Sequence, residues 1–293
     1  MTHFHVFAGA NDTAEYPEIR KIGVEDVFQA LKRGIEDFAR QPSHILFLGL
    51  IYPVTGIFLA FWASGANLLP LVFPLMAGVA LVGPFAAIGL YVISRRREAG
   101  LDSSWRHVFG VLHSPSIPSI LAMGLLLVAL FAAWLFTAQN LYLYFMGEEV
   151  PASISSMLSA IFTTGGGWRL MAFGNLAGLG FALAAFCLSV ISFPLLIDRD
   201  VGAAAAIVTS LRAVQKNVLP MLLWGLIVAL CLIIGFALFF VGLAIAIPVL
   251  GHATWHLYRA VVVPVPVEQR NEPEIMPGTR RSRLFVQLWR SGE

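Results

Sequence analysis

Charge is what this chain lacks. No acidic or basic residue interrupts 45–93, none lies between 108 and 147, and none falls within 170–197 or 218–258. Charged residues make up 12% of the chain against 58% hydrophobic ones. A soluble domain carries about 25% charge and roughly 45–50% apolar residues, so composition alone excludes an ordinary soluble fold. Cysteine is nearly absent as well. Cys187 and Cys231 both lie inside apolar runs, where free cysteine behaves as a small hydrophobe, and they are read as packing residues and not as a disulfide or metal site. The N-terminus lacks a basic start followed by an apolar core, so no cleavable leader is expected and the first span serves as its own insertion signal. Walker loops, HExxH, GxSxG and CxxC are missing, and the chain is read as no enzyme. A net charge of only +2, with its basic residues outside the apolar runs, is a topology signal and not a nucleic-acid footprint.

The long apolar runs are what is present. A spanning helix needs about 20 apolar residues. Spans are expected at 45–63, 68–93, 117–145 and 170–197. The run 218–258, at about 1.5 Å per residue, is roughly twice as long as a bilayer core is thick, so it must fold back, near 239–242, into a fifth and a sixth span. Arg95, Arg96 and Arg97 are read as a short loop between the second span and the third, on one face of the membrane. With six spans every strongly basic segment falls on that face, as the positive-inside rule requires; five would strand the basic tail outside. The expected architecture is an all-α membrane protein of six transmembrane helices with both termini cytoplasmic. Residues 1–43 form a cytoplasmic segment, 44–260 the membrane domain and 261–293 a flexible basic tail.

Each odd span follows an amphipathic stretch. Val24, Val27, Phe28, Leu31, Ile35 and Phe38 share one helical face, with Lys32, Arg33, Glu36 and Asp37 on the other. Trp105, Val108, Phe109 and Leu112, with Asp102 or Ser103 as cap, repeat the pattern. So do Ala204, Ile207, Val208, Leu211 and Val214. The span starts also match: HILFLGL at 44–50, SILAMGL at 119–125 and PMLLWGL at 220–226. Three parallel units are inferred, each an interfacial helix followed by a membrane hairpin. A further amphipathic stretch, Ile154 to Phe162, is read as a surface connector or a lid, with Gly165–Gly167 as a flexible joint into the fourth span.

Polar clusters are few. His252 and His256 are four residues apart and share a helical face, a spacing that suits a metal or a haem edge. His44, His107 and His113 are expected on the same side of the membrane. Trp255, Tyr258 and Arg259 beside the pair are residue types of an interfacial belt, and that plainer reading stands next to the cofactor-binding one. The composition calls for no cofactor. Gly174, Asn175 and Gly178 are expected to pack helices, and Gly83 with Ala87 to do the same. In the tail, Arg280, Arg281 and Arg283 flank Leu284, Phe285, Leu288 and Trp289, a pattern suited to the anionic inner leaflet or to a protein groove. Arg95, Arg96 and Arg97 are counted with these as membrane-surface or partner contacts.

Three phrases resemble a known family. They are Arg20-Lys21-Ile22 with Ala30-Leu31, Gly34, Asp37-Phe38 and Pro42; Gly89-Leu90-Tyr91 with Ile93-Ser94-Arg95-Arg96; and residues 251–259. Together they are similar to the bacterial domain-of-unknown-function family 2189, over roughly residues 20–262. The resemblance implies a six-helix protein of the bacterial inner membrane. Some members carry the label of cytochrome c oxidase components, which implies a respiratory connection. This chain lacks the multiple intramembrane histidines that two haems and copper require, so it is not the catalytic oxidase subunit. The leading expectation is a non-catalytic accessory or assembly partner of a larger membrane complex, in contact with the lipid bilayer. Charge-free spans speak against ion pumping but leave open a channel or facilitator for a neutral or apolar solute, and a haem or metal binder through His252 and His256 is the third reading.

Overall fold

The computed structural model describes residues 16–40, 69–75, 83–84, 87–148, 151–238 and 242–264. Among these residues all regular structure is helical, apart from a bridge between Ile19 and Val262. The helices are α1 Val24–Arg40, α2 Ile88–Glu98, α3 Ile117–Met146, α4 Ile154–Thr163, α5 Gly165–Ser189, α6 Ser192–Asp198, α7 Ala203–Lys216, α8 Val218–Ala237 and α9 Leu243–Val261, with 3-10 turns at Leu69–Leu71 and Trp105–His113. The expected first span, most of the second and the tail residues Arg280, Arg281, Arg283, Leu284, Phe285, Leu288 and Trp289 lie outside the described residues.

Three helices among the described residues are long and apolar enough to cross a membrane: Ile117–Met146, Gly165–Asp198 and Val218–Ala237. They match the third, fourth and fifth expected spans closely. The chain leaves α8 at Ala237 and resumes helix at Leu243, within the stretch where the fold-back is expected. Gly235 lets α8 and the start of α9 come close, because a Cβ there would lie within 2.6 Å of the Leu243 side chain. The sixth expected span, α9, is not one of the three; its histidines, Thr254, Tyr258 and Arg259 dilute its apolar character.

The fourth span is broken, and its repair is visible. Pro194 has no N–H to give the Val190 carbonyl, and the helix interrupts at Val190–Ile191. Ser210 of α7 enters the gap. Its hydroxyl donates to the Cys187 carbonyl at 2.7 Å and accepts from the Ile191 N–H at 3.3 Å. One side chain thus replaces a missing turn of backbone bonding. Ser192 adds a bond to the Ala206 carbonyl at 3.0 Å, so α6 is tied to α7 at its N-terminal end.

The inner layer is made where α2, α6 and α9 meet. Leu90, Phe193, Leu195, Trp255, Leu257 and Tyr258 fill it and are almost fully buried. Around it, α1 packs on α9, the 3-10 segment Trp105–His113 on α2, and α7 on α5 and α6. The flanks of α3, α5 and α8 carry outward leucine and phenylalanine, among them Leu125, Phe136, Leu176 and Leu219, as lipid contact demands.

The amphipathic elements dock differently from the sequence reading. In α1 the buried stripe is Val27, Ala30, Gly34 and Asp37, while Val24, Phe28 and Ile35 stay exposed. In α7 it is Ala203, Ala206, Thr209, Ser210 and Ala213, with Ala204 exposed. Small residues win because they let two helix backbones approach. A Cβ on Gly34 would lie 2.6 Å from the Ala253 nitrogen and 2.5 Å from its Cβ. The second element is a 3-10 segment with no buried residue, although Trp105 and Val108 touch Gly89. The expected flexible joint at Gly165–Gly167 is instead the first turn of α5, capped by the Thr164 hydroxyl at 2.9 Å from the Gly167 N–H. Gly167 sits where a Cβ would strike α4 main chain at Ile161.

Candidate functional site

The polar cluster grows from two close helix crossings. Gly34 lets α1 lie against Ala253 of α9, and Gly251 lets α9 lie against Leu90 of α2. One turn beyond each crossing the helices present polar side chains to one another. Asp37 of α1 is the hub. Its Oδ2 accepts from the Ser94 hydroxyl at 2.6 Å and from His256 Nε2 at 2.9 Å, and its Oδ1 accepts from Arg97 at 2.5 Å. Ser94 has one hydrogen and spends it on Asp37. The contact of its oxygen with His252 Nδ1, 2.8 Å long, therefore needs the proton on that nitrogen. A continuous chain His252–Ser94–Asp37–His256 joins three helices.

Burial pushes the Asp37 carboxyl up, but the hydrogen bonds from His256 and Ser94 and the charges of His256 and Arg97 outweigh it and hold the group below the ordinary carboxylate range. The folded carboxyl therefore keeps its charge to a lower pH than the unfolded one, whose value is about 3.9. Its stabilisation is complete above that value and falls away as pH drops through the lower folded value. Unfolding in detergent followed from about pH 6 to about pH 2 should show a loss of stability on the acid side that is reduced in Asp37→Asn. An acid limb of equal size in both proteins would remove Asp37 as its source.

A second set of pairs locks the inner helices. Glu98 accepts from Trp255 Nε1 and from Arg259 Nε, both at 3.0 Å. Asp198, at the end of α6, accepts from the Tyr258 hydroxyl at 2.7 Å and lies 3.6 Å from nitrogens of both Arg259 and Arg199. Arg95 donates to the Ile197 carbonyl, and Arg96 to that of Asp102. The Ile197 contact places a cation at the C-terminal carbonyls of α6, where the helix dipole favours it. Buried charges are tolerable only when paired, and here each has a partner on another helix or segment.

These contacts correct several sequence expectations. Arg95, Arg96 and Arg97 are the last turn of α2 and not a loop, and they reach Ile197, Asp102 and Asp37 of the protein itself. Trp255 and Tyr258 are enclosed and Arg259 is nearly so; no interfacial belt forms from them because α1, α2 and α6 cover that end of α9. Asp37 is buried, against its expected place on the polar face. His252 and His256 do share a face, yet both turn to the Asp37 chain. Among the described residues no group of three or more His, Cys, Asp or Glu is arranged to hold a metal ion. His107 is instead beside Asp102 at 3.0 Å, His113 is exposed, and His44 lies outside the described residues.

Of the packing residues, Gly178 lies against the Trp134 ring, where a Cβ would come within 3.2 Å, but Gly174 has no neighbour among the described residues and the Asn175 amide bonds back to Met171 of its own helix. Ala87 meets Gly251, whereas Gly83 has no neighbour among the described residues. The sequence reading missed Asp37, Ser94, Glu98 and Asp198. For Asp37 a signal existed: the spacing Val27–Ala30–Gly34–Asp37 continues a stripe of small residues.

Beside the lock, on the same end of the bundle, is a cleft of about 400 Å³ bordered by Arg20, Lys21, Asp26, Arg33, Glu98 and Arg259. Its wall is the segment 18–22, laced to the rest by Arg20 N–H on the Val261 carbonyl at 2.7 Å and Ile22 N–H on the Asn217 side chain at 2.8 Å.

Residues 72–198 match the family model described as "Predicted integral membrane protein (DUF2189)". This is the family that the sequence resembles, and the match bears out the resemblance over the middle of the chain. Comparison with curated proteins and with solved structures finds no match.

Proposed function

We propose that this integral membrane protein is a non-catalytic accessory or assembly component of a larger membrane complex, built as three hairpins in a ring with six spans and cytoplasmic termini. The observation that carries this reading is the lock of α2, α6 and α9. Tyr258, Trp255 and Phe193 pack there, and Glu98, Asp198, Arg95 and Arg259 tie the helix ends together. Such a plug argues against a solute path between the hairpins, and the use of both histidines in the Asp37 chain argues against haem or metal ligation. What the fold then offers is surface, in the apolar flanks of α3, α5 and α8 and in a built cytoplasmic end.

The ring is supported by internal correspondence. When residues 44–50 are laid on 220–226, Val27, Ala30, Gly34 and Asp37 fall on Ala203, Ala206, Ser210 and Ala213, and all eight are buried. Each amphipathic element also packs on the helix that closes the preceding unit: α1 on α9, the 3-10 segment on α2, and α7 on α6. The test is mass spectrometry of the tagged protein purified from native membranes in mild detergent. Stoichiometric neighbours, respiratory or other, are expected. Recovery of the chain alone, or only as a homo-oligomer, sinks the accessory reading and returns weight to a facilitator.

A further inference from the structure

We propose that the cleft beside the lock binds a soluble phosphate-bearing anion. Its charge is unbalanced in a specific way. Arg259 is taken up by Glu98 and Asp198, which leaves Asp26, whose carboxylate accepts the Gly23 N–H at 2.8 Å, as the one other acidic group among the described residues of the lining. Arg20, Lys21 and Arg33 remain, exposed and with no ion-pair partner among the described residues. Three cations from two segments against the single Asp26 carboxylate leave the concavity net positive, and an anion held there lowers their mutual repulsion. Two of them are guanidinium groups, whose planar fork matches phosphate oxygens two at a time.

The direction of opening identifies the source. On α1 the cleft-side residues Asp26, Gln29 and Arg33 lie roughly 150° around the helix from the exposed apolar residues Val24, Phe28 and Ile35, at about 100° per residue. If that apolar stripe rests on the bilayer, the cleft faces away from it, toward water. A soluble phosphate compound therefore fits better than a lipid headgroup, which would approach from the apolar side. Because α1, α2 and α9 all border the cleft, an occupant ties α1 to the inner helices and adds to their stability by mass action. The inference is independent of the accessory role.

The test is thermal unfolding of the full chain in maltoside micelles, with inorganic phosphate against chloride at matched ionic strength, and with phosphatidylglycerol against phosphatidylcholine. A saturable rise with phosphate is expected, and Arg33→Gln should weaken its apparent Kd roughly tenfold, as loss of one charge-assisted bond implies. Lys21→Gln should weaken it in the same direction, and both variants should melt near the parent without phosphate, since neither side chain has an ion-pair partner to lose among the described residues. Equal response to phosphate and chloride, or an unchanged Kd in both variants, overturns the site. A rise with phosphatidylglycerol and none with phosphate overturns the soluble source and makes the ligand a lipid headgroup.

Discussion

Asp37→Ala is expected to destabilise the protein by about 3–5 kcal/mol, the range for removing one member of a buried charge network. The carboxylate accepts from Ser94, Arg97 and His256, and its side chain is 7% exposed. Alanine leaves the fully buried Ser94 hydroxyl and the largely buried His256 nitrogen without their acceptor. It also leaves the Arg97 charge to find solvent through a partly open route. Ser94→Ala should cost less, about 1–3 kcal/mol, since it keeps the ion pair but takes the Ser94 oxygen away from the buried His252 Nδ1–H. The measurement is equilibrium unfolding in detergent for both variants. Equal effects, or an Asp37→Ala protein within about 0.5 kcal/mol of the parent, would mean that the hub is not formed in the membrane.

Gly34→Val should detach α1 from α9. The Cβ alone would meet Ala253 backbone nitrogen at 2.6 Å and Cα at 2.7 Å, atoms that belong to a helix and cannot rotate away. Relief requires the two axes to part. That separates Asp37 from His256, so the loss should exceed the 1–3 kcal/mol usual for overpacking. Limited proteolysis within 16–40 should become faster while the three membrane-crossing helices stay protected. Gly174→Ala is the control. Nothing among the described residues lies within 4 Å of a Cβ at that position, and alanine is the better helix former by about 1 kcal/mol, so this variant should be unchanged or slightly more stable. Protease resistance equal to the parent in Gly34→Val would refute the close crossing.

The two variants mark where sequence reading succeeds and where it stops. GxxxG at 174–178 and the stripe Val27–Ala30–Gly34–Asp37 are both patterns of small residues at helical spacing. Only half of the first packs on another helix, through Gly178 on Trp134, while the second makes the tightest docking of α1. Nothing local distinguishes them. Spacing says which residues share a face, but not which face meets a neighbour. The hydrophobic side of α1 was legible because Val24, Val27, Phe28, Leu31, Ile35 and Phe38 recur at helical intervals, yet the helix docks through Val27 and the smaller residues beside that face.

Membrane character, the ends of α3, the extent of the fourth span and the break between α8 and α9 follow from the sequence by itself. Hydropathy is a sum over neighbouring residues, and the cost of an unpaired charge in lipid is felt wherever that charge sits. The fate of the arginines does not follow in that way. Arg95, Arg96 and Arg97 stand together in the chain yet go to Ile197, Asp102 and Asp37, three partners on three different segments. Arg259 likewise closes on Glu98, far from it in sequence. A charge constrains only that some partner must exist, and tertiary structure selects it, because an ion pair forms between whichever groups the packing of small residues brings within reach.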